Sequence, residues 1–329
     1  MVVGALTILL IIALLASLLI GRYDISLKEC LGILASKIFD ITPVWTKVQA
    51  NMLWLVRVPR VLIAMLVGMA LSVAGTSYQC IFRNPLAAPD ILGASTGAAF
   101  GAAYAILQGY GSTAITVCAF ASSLVCVALV VLVSKICKGN RVINLVLAGI
   151  MIGSLFSAAT SYLKLIADPN NTLPAITYWM MGSISGADTG KLAYVWIPML
   201  VSAVPIILLR WKMNLLTIDD DEARTMGVNT GRVRNIVIVC ATLLTAASVS
   251  VSGIIGWVGL VIPHMARRLV GNDCRILIPV SALCGGVFLI LVDDIARSLY
   301  TTELPLGVLT AFIGAPFFIY LMARRGVSD

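Results

Sequence analysis

Ten apolar runs, each near the length that crosses a bilayer, leave this chain little room for anything else. They fall at about 4–21, 59–80, 91–108, 113–134, 142–166, 192–210, 234–252, 256–270, 276–292 and 305–323. A lipid-exposed backbone must satisfy its hydrogen bonds within the segment, and about 20 apolar residues make a spanning helix. The spacing therefore predicts an all-α integral membrane protein with about ten transmembrane helices. Charged residues make up 12% of the 329, where a soluble domain carries roughly 25%. No separate soluble domain fits, and residues 1–329 read as a single transmembrane domain. The first run lacks the basic start of a signal peptide and is taken as the first span.

An even number of spans puts both termini on one side. With the N-terminus inside, fourteen of the 23 Lys and Arg residues fall on the cytoplasmic side and nine outside. Cytoplasmic loops carry an excess of Lys and Arg, so both termini are expected to be cytoplasmic. The same bias accounts for the net charge of +8, and no nucleic-acid partner is implied. Eight cysteines lie mostly within apolar runs without a C-x-x-C pair, which fits small packing residues rather than a metal or redox site. His264 is the sole histidine, so a histidine-based metal or catalytic cluster cannot form within the chain.

One polar island interrupts the pattern: Leu215-Leu-Thr-Ile-Asp-Asp-Asp-Glu-Ala-Arg-Thr-Met-Gly-Val228, within a loop of about 211–233. Four consecutive acids at the bilayer centre would cost on the order of 10 kcal/mol, so the island lies in water. Thr217-x-x-Asp220 fits a capping box, acids fill the first turn, and Gly227 is placed for a C-terminal cap. The expectation is a short helix facing the cytoplasm. By itself this could be a docking surface or a solvated loop.

Two outer segments are long. Residues 22–56 carry Trp45 and Trp54, which suit an interface, and 176–182 reads as a short helix on the membrane surface. Ser72-Val-Ala-Gly75, with Pro85 beyond it, matches Ser250-Val-Ser-Gly253 with Pro263 at the same interval, a faint inverted repeat. In the second span Pro59 suits a first helical turn. In the fifth, Ser154, Ser157 and Ser161 share a face, as a polar stripe on a pathway or as hydroxyls bonded back to helix carbonyls.

Three stretches in order resemble one family, the FecCD-type permeases of ATP-binding-cassette (ABC) importers for iron–siderophore, haem and cobalamin. They are Arg83-Asn-Pro-Leu-Ala-Ala-Pro-Asp-Ile-Leu-Gly93, Ala223-Arg-Thr-Met-Gly-Val228, and Gly253-Ile-Ile-Gly-Trp-Val-Gly-Leu-Val-Ile-Pro-His-Met-Ala-Arg267, which continues to Glu303-Leu-Pro-Leu-Gly307. Ala88 departs from the pattern where an acid is common. The resemblance implies a type II ABC importer permease fold in the cytoplasmic (inner) membrane. It also implies a second permease copy, two cytoplasmic ATP-binding subunits and an extracytoplasmic solute-binding protein. The chain has no G-x-x-x-x-G-K-[ST] pattern, so ATP and Mg belong to the partner subunit and the chain is not an enzyme and binds no cofactor of its own.

By the same resemblance the island is a coupling helix seated on the ATPase, with Asp219, Asp220, Asp221, Glu222, Arg224, Met226 and Gly227 at the contact. Asn84 and Leu86 match a cytoplasmic gate. Arg57, Arg60 and Arg297 match arginines that pair with carboxylates of the binding protein, though Arg297 also has Asp293 and Asp294 at pairing distance along its own helix. His264 is part of the third motif and reads as structural. The expected cargo is an iron–siderophore or haem-like metal chelate, with cobalamin or molybdate/tungstate as alternatives. An ion-coupled secondary transporter is the rival class, and it needs ionised residues buried in mid-span.

Overall fold

The structure, a computed structural model, describes residues 1–21, 23–37, 39, 42–139, 141–216, 223, 225–299 and 302–325. Among these it contains twelve helices and no strand. They are α1 (Val2–Leu19), α2 (Leu27–Ala35), α3 (Lys47–Ile81), α4 (Ala94–Leu107), α5 (Ser112–Ile136) and α6 (Arg141–Ile166). They continue with α7 (Thr172–Met180), α8 (Thr189–Leu215), α9 (Thr230–Ser252), α10 (Val258–Val270), α11 (Cys274–Ser298) and α12 (Leu306–Arg325). Seven of them, α1, α3, α5, α6, α8, α9 and α11, are long and apolar enough to cross a membrane. The shorter α4, α10 and α12 take the other three expected positions, so each of the ten apolar runs is a helix.

Helix α3 is the axis of the bundle and is mostly buried, packed against α8, α9, α10 and α11. Small residues let it come close. A Cβ built on Gly75 would lie 1.8 Å from the Gly259 carbonyl oxygen, so only glycine permits this crossing with α10. Four hydroxyls inside the bundle are satisfied locally: Thr76, Ser77, Thr245 and Ser248 each donate to the carbonyl four residues back. The Tyr78 hydroxyl meets Thr242 Oγ1 at 2.8 Å and ties α3 to α9.

Pro59 sits in the first turn of the regular α-helical stretch Val58–Ile81, as expected, but α3 as a whole does not start there. The helix begins twelve residues earlier, at Lys47, and widens into a π turn over Met52–Arg57 just before the proline. Proline has no N–H to give the preceding turn, and a π turn accommodates that gap without ending the helix.

Between α9 and α10 the backbone leaves the helix for five residues. Its backbone groups are paired close by: Gly253 N–H donates to Val249 O at 2.9 Å, Gly256 O accepts the Val258 N–H at 2.9 Å and Trp257 O accepts the Val261 N–H at 2.8 Å, while Ser183 N–H reaches the last helical carbonyl, Ser252 O, at 2.7 Å. Non-helical backbone at membrane depth needs such pairing. Here Trp257 takes a positive φ of 69°, a rare state for a bulky residue. The two copies of the sequence repeat are not structurally alike, because Ser72–Gly75 lies within an uninterrupted helix while Gly253 ends one with φ 65°.

The outer segment 22–56 holds a helix, α2, and the first turns of α3. Both start with capping boxes, Ser26 with Glu29 and Thr46 with Gln49, and Gln49 Nε2 donates to Glu29 Oε1 at 2.9 Å to join them. The surface helix expected at 176–182 begins earlier, at Thr172, because Pro174 sits in its first turn where no N–H is needed.

Candidate functional site

The residues singled out in sequence gather at the two ends of the bundle and on one face. The cytoplasmic end is built around the root of the acidic segment. Met213 and Leu216, the last turn of α8 and the residue beyond it, are fully buried. The Leu216 carbonyl accepts from Arg83 Nε at 2.8 Å. One turn back, Asn214 donates to Asp273 Oδ1 at 2.7 Å and accepts the Cys274 N–H at 2.7 Å. The segment thus leaves the bundle clamped to the turn after α3 and to the start of α11.

Asp219, Asp220, Asp221, Glu222 and Arg224, with the Thr217 cap, lie outside the described residues. The far end of the segment is described. Ala223 is fully buried, Met226 is 61% exposed, and Gly227 takes φ 78°. The Val228 N–H returns to the Ala223 carbonyl at 3.2 Å, the six-to-one closure of a Schellman cap, with both side chains buried as that cap favours. Asn229 then caps α9 by accepting the Arg232 N–H at 3.0 Å. Gly227 is therefore the helix-ending glycine expected, and Met226 is presented outward beside it.

The turn after α3 carries Asn84 and Leu86. Arg83 opens it with a positive φ of 50°. Asn84 Oδ1 accepts the Leu86 N–H at 2.9 Å, and its carbonyl accepts the Ala87 N–H at 3.1 Å. This local bonding holds Leu86 at the tip, 57% exposed, an apolar side chain facing out from the chain. The Sγ atoms of Cys80 and Cys274 lie 3.0 Å apart just inside the turn. His264 is half-buried and lines a cavity at this same end.

Outside the membrane-spanning segments, Asp273 carries the clearest electrostatic signature. Arg275 bonds its carboxylate, Asn214 adds a second bond, and together they hold its pKa well below the ordinary aspartate value.

The outer end departs from expectation. Arg57, Arg60 and Arg297 are buried and partnered within the chain rather than presented to the surface. Arg57 donates to the carbonyls of Leu18 at 2.7 Å and Leu19 at 3.1 Å, and to that of Tyr23. Arg60 pairs with Asp293 and Glu303. Arg297 pairs with Asp294 and with Ser17 Oγ. A guanidinium buried at low dielectric must find anions or carbonyls nearby, and these supply them. The arginines lock α1, α3 and α11 together, and the pairing of Arg297 along its own helix is the alternative that the sequence had offered. Asp293 and Asp294 lie within six residues of the outer end of α11, not in mid-span.

Ser154, Ser157 and Ser161 lie on the face of α6 that the rest of the chain does not cover, among exposed Leu147, Ile150, Leu155 and Leu165. Ser154 and Ser161 donate to the carbonyls of Ile150 and Ser157 at 2.7 and 3.0 Å. They are both back-bonded and outward-facing. Sequence reasoning passed over Asn214 and Asp273 and gave Glu303 no role beyond opening a motif; all three are polar residues bordering apolar runs.

The FecCD transport family model matches residues 9–324. The chain is 39% identical over 329 residues to the molybdate import system permease protein MolB of Haemophilus influenzae, covering 98% of this chain and 96% of that one. It is 40% identical over 273 residues to an iron chelatin transport system permease protein of Helicobacter pylori, covering 83% of this chain and 82% of the relative. Among solved structures, an inward-facing metal-chelate type ABC transporter superposes with a TM-score of 0.88 at 38% identity, covering 98% of both chains.

Proposed function

From the premise that the chain belongs to the FecCD transport family, as a multi-pass permease subunit of an ABC importer, we propose that it carries a metal chelate of the iron–siderophore or haem class. It is not itself an enzyme; ATP is hydrolysed by a separate subunit. Membership of this family removes the ion-coupled secondary transporter from consideration.

In our reading the chain sits in the cytoplasmic membrane and pairs with a second permease copy. The uncovered faces of α6 and α12 form that contact. Phe312 and Ile319 on α12 are 74% and 68% exposed, and a hollow of about 630 Å³ is lined by Phe312, Pro316 and Trp257. Lipid does not require serines on such a face, whereas a pathway between two copies has use for them. A solute-binding protein docks outside, using surface other than the buried arginines.

The observation that carries the coupling mechanism is the 2.8 Å bond from Arg83 Nε to the Leu216 carbonyl. It joins the root of the acidic segment to the turn that holds Asn84 and Leu86. The segment, moved by the ATPase, pulls on this turn directly, and through Asn214 on the start of α11. Leu86 is thereby drawn into or out of the midline where the two copies meet. Asp219, Asp220, Asp221, Glu222, Arg224 and Met226 supply the contact with the ATPase. Replacing Asp219–Glu222 by alanine, or Arg224 by alanine, is expected to leave the chain folded while uptake falls at least tenfold. Unchanged uptake contradicts the role. Arg83→Ala is expected to lower the cargo moved per ATP hydrolysed.

A second reading of the cargo, an oxyanion such as molybdate, is favoured by the similarity to the molybdate permease along nearly the whole chain. Competition for uptake among a ferric chelate, haem and molybdate, each with the cognate binding protein, separates the two.

A further inference from the structure

A polar cavity of about 580 Å³ opens at the cytoplasmic end between the C-terminal ends of α3 and α10. Gln79, Arg83, His264, Arg267, Arg268 and Asn272 line it, and no carboxylate of the described residues does. Gln79 is 3% exposed. Its Oε1 accepts from Arg267 Nη1, which fixes the carboxamide and leaves Nε2 as the free donor. That Nε2 is buried and has no hydrogen-bond partner among the described residues. Arg83 has committed its Nε to Leu216, so the site does not depend on it.

A buried amide donor without an acceptor is costly, and native proteins leave few of them. Here Gln79, which carries the unmet donor, lines the same space as two arginines. Guanidinium forks match the oxygens of phosphate, and positive groups in a concave site reinforce one another's field. Among the described residues no carboxylate lines the cavity to meet the Arg267 and Arg268 charges, and a neutral ligand adds none. The donor set asks for several anionic oxygens on one centre.

We propose that this cavity is a binding site for a phosphate-class tetrahedral oxyanion, either free inorganic phosphate or the phosphate of an anionic inner-leaflet lipid. The bound oxyanion accepts from Gln79 Nε2 and pairs with Arg267 and Arg268. It sits against the end of α3, one turn before Asn84, so occupancy stiffens the turn that the acidic segment pulls on.

The test uses the purified full-length chain. Calorimetric titration with sodium phosphate, against sodium chloride at matched ionic strength, reads the free anion. Native mass spectrometry of the chain from nanodiscs of phosphatidylcholine with and without phosphatidylglycerol reads the lipid. Saturable phosphate binding that weakens at least tenfold in Arg268→Gln and in Gln79→Glu supports a free-anion site. Retained phosphatidylglycerol that is lost in the same variants, without phosphate binding, supports a headgroup site. Arg268 is exposed, so Arg268→Gln is expected to keep the wild-type melting temperature and remains informative if Gln79→Glu does not fold. Absence of both kinds of binding in the wild type, or binding unchanged in Arg268→Gln, overturns the proposal.

Discussion

Arg60 grips Asp293 from 233 residues away in sequence, its Nε at 3.1 and 3.0 Å from the two carboxylate oxygens and its Nη2 at 2.9 Å from one of them. The side chains are 10% and 1% exposed. Glu303 takes the remaining nitrogen at 2.8 Å. Removing one partner of a buried pair strands the other, at a cost of about 3–5 kcal/mol. Asp293→Ala is therefore expected to lower the melting temperature of the detergent-solubilised chain sharply. Arg60→Leu combined with Asp293→Leu is expected to recover part of the loss, since neither deeply buried charge is then left alone and Glu303, 27% exposed, still reaches water. Equal destabilisation by both changes would show that the pair is not the lock between α3 and α11.

The crossing of α3 and α10 makes a matched prediction for two glycines. A methyl on Gly75 meets the Gly259 carbonyl, whereas one on Gly256 meets nothing within 4 Å. Overpacking of a tight contact costs about 1–3 kcal/mol. Thermal unfolding of Gly75→Ala and Gly256→Ala should separate accordingly, with Gly256→Ala near the wild type.

The contact of Cys80 with Cys274 offers a chemical ruler for the cytoplasmic end. All eight cysteines are free, and these two sulfurs lie 3.0 Å apart. In a variant with the other six replaced by alanine, copper phenanthroline is expected to join them, read as loss of the two thiol hydrogens by intact mass. A reduced pair after exhaustive oxidation would place the ends of α3 and α11 further apart than described.

The Asp273 carboxylate gives a pH dependence with a definite sign. Bonding to Arg275 and Asn214 lowers its pKa below the ordinary value of 3.8. A group depressed on folding adds stability that is fully present above its unfolded pKa and is lost as pH falls through the folded one. The melting temperature of the wild type should thus decline below about pH 4, and Asp273→Asn should be less stable at neutral pH with a flatter acid limb. Parallel pH curves for the two proteins would remove Asp273 from the clamp.

How far the sequence reveals this arrangement depends on whether the cause is local. The ten spans are visible because lipid demands apolar runs of fixed length. Gly227 is visible because a left-handed cap selects glycine. The capping boxes at Ser26 and Thr46 were equally local, and they pass unnoticed among the more conspicuous Trp45 and Trp54. The arginines are the opposite case. Charge bias places Arg57, Arg60 and Arg297 at the outer face, but only the fold brings Asp293, Asp294 and Glu303 to them and turns them inward. The π turn before Pro59 and the break before Trp257 are set by packing, and no short motif announces either. For the acidic segment, sequence and structure agree on its glycine-capped end, its buried root at Met213 and Leu216 is set by packing, and its four acids lie outside the described residues.

The central claim is that a partner ATPase drives this chain through that segment. The direct measurement is cargo uptake into proteoliposomes holding the chain with and without its ATPase subunits, supplied with the loaded binding protein and with ATP. The account predicts uptake only when the ATPase subunits and hydrolysable ATP are both present, and its loss when Asp219–Glu222 become alanine. Concentrative uptake by the chain alone would contradict it.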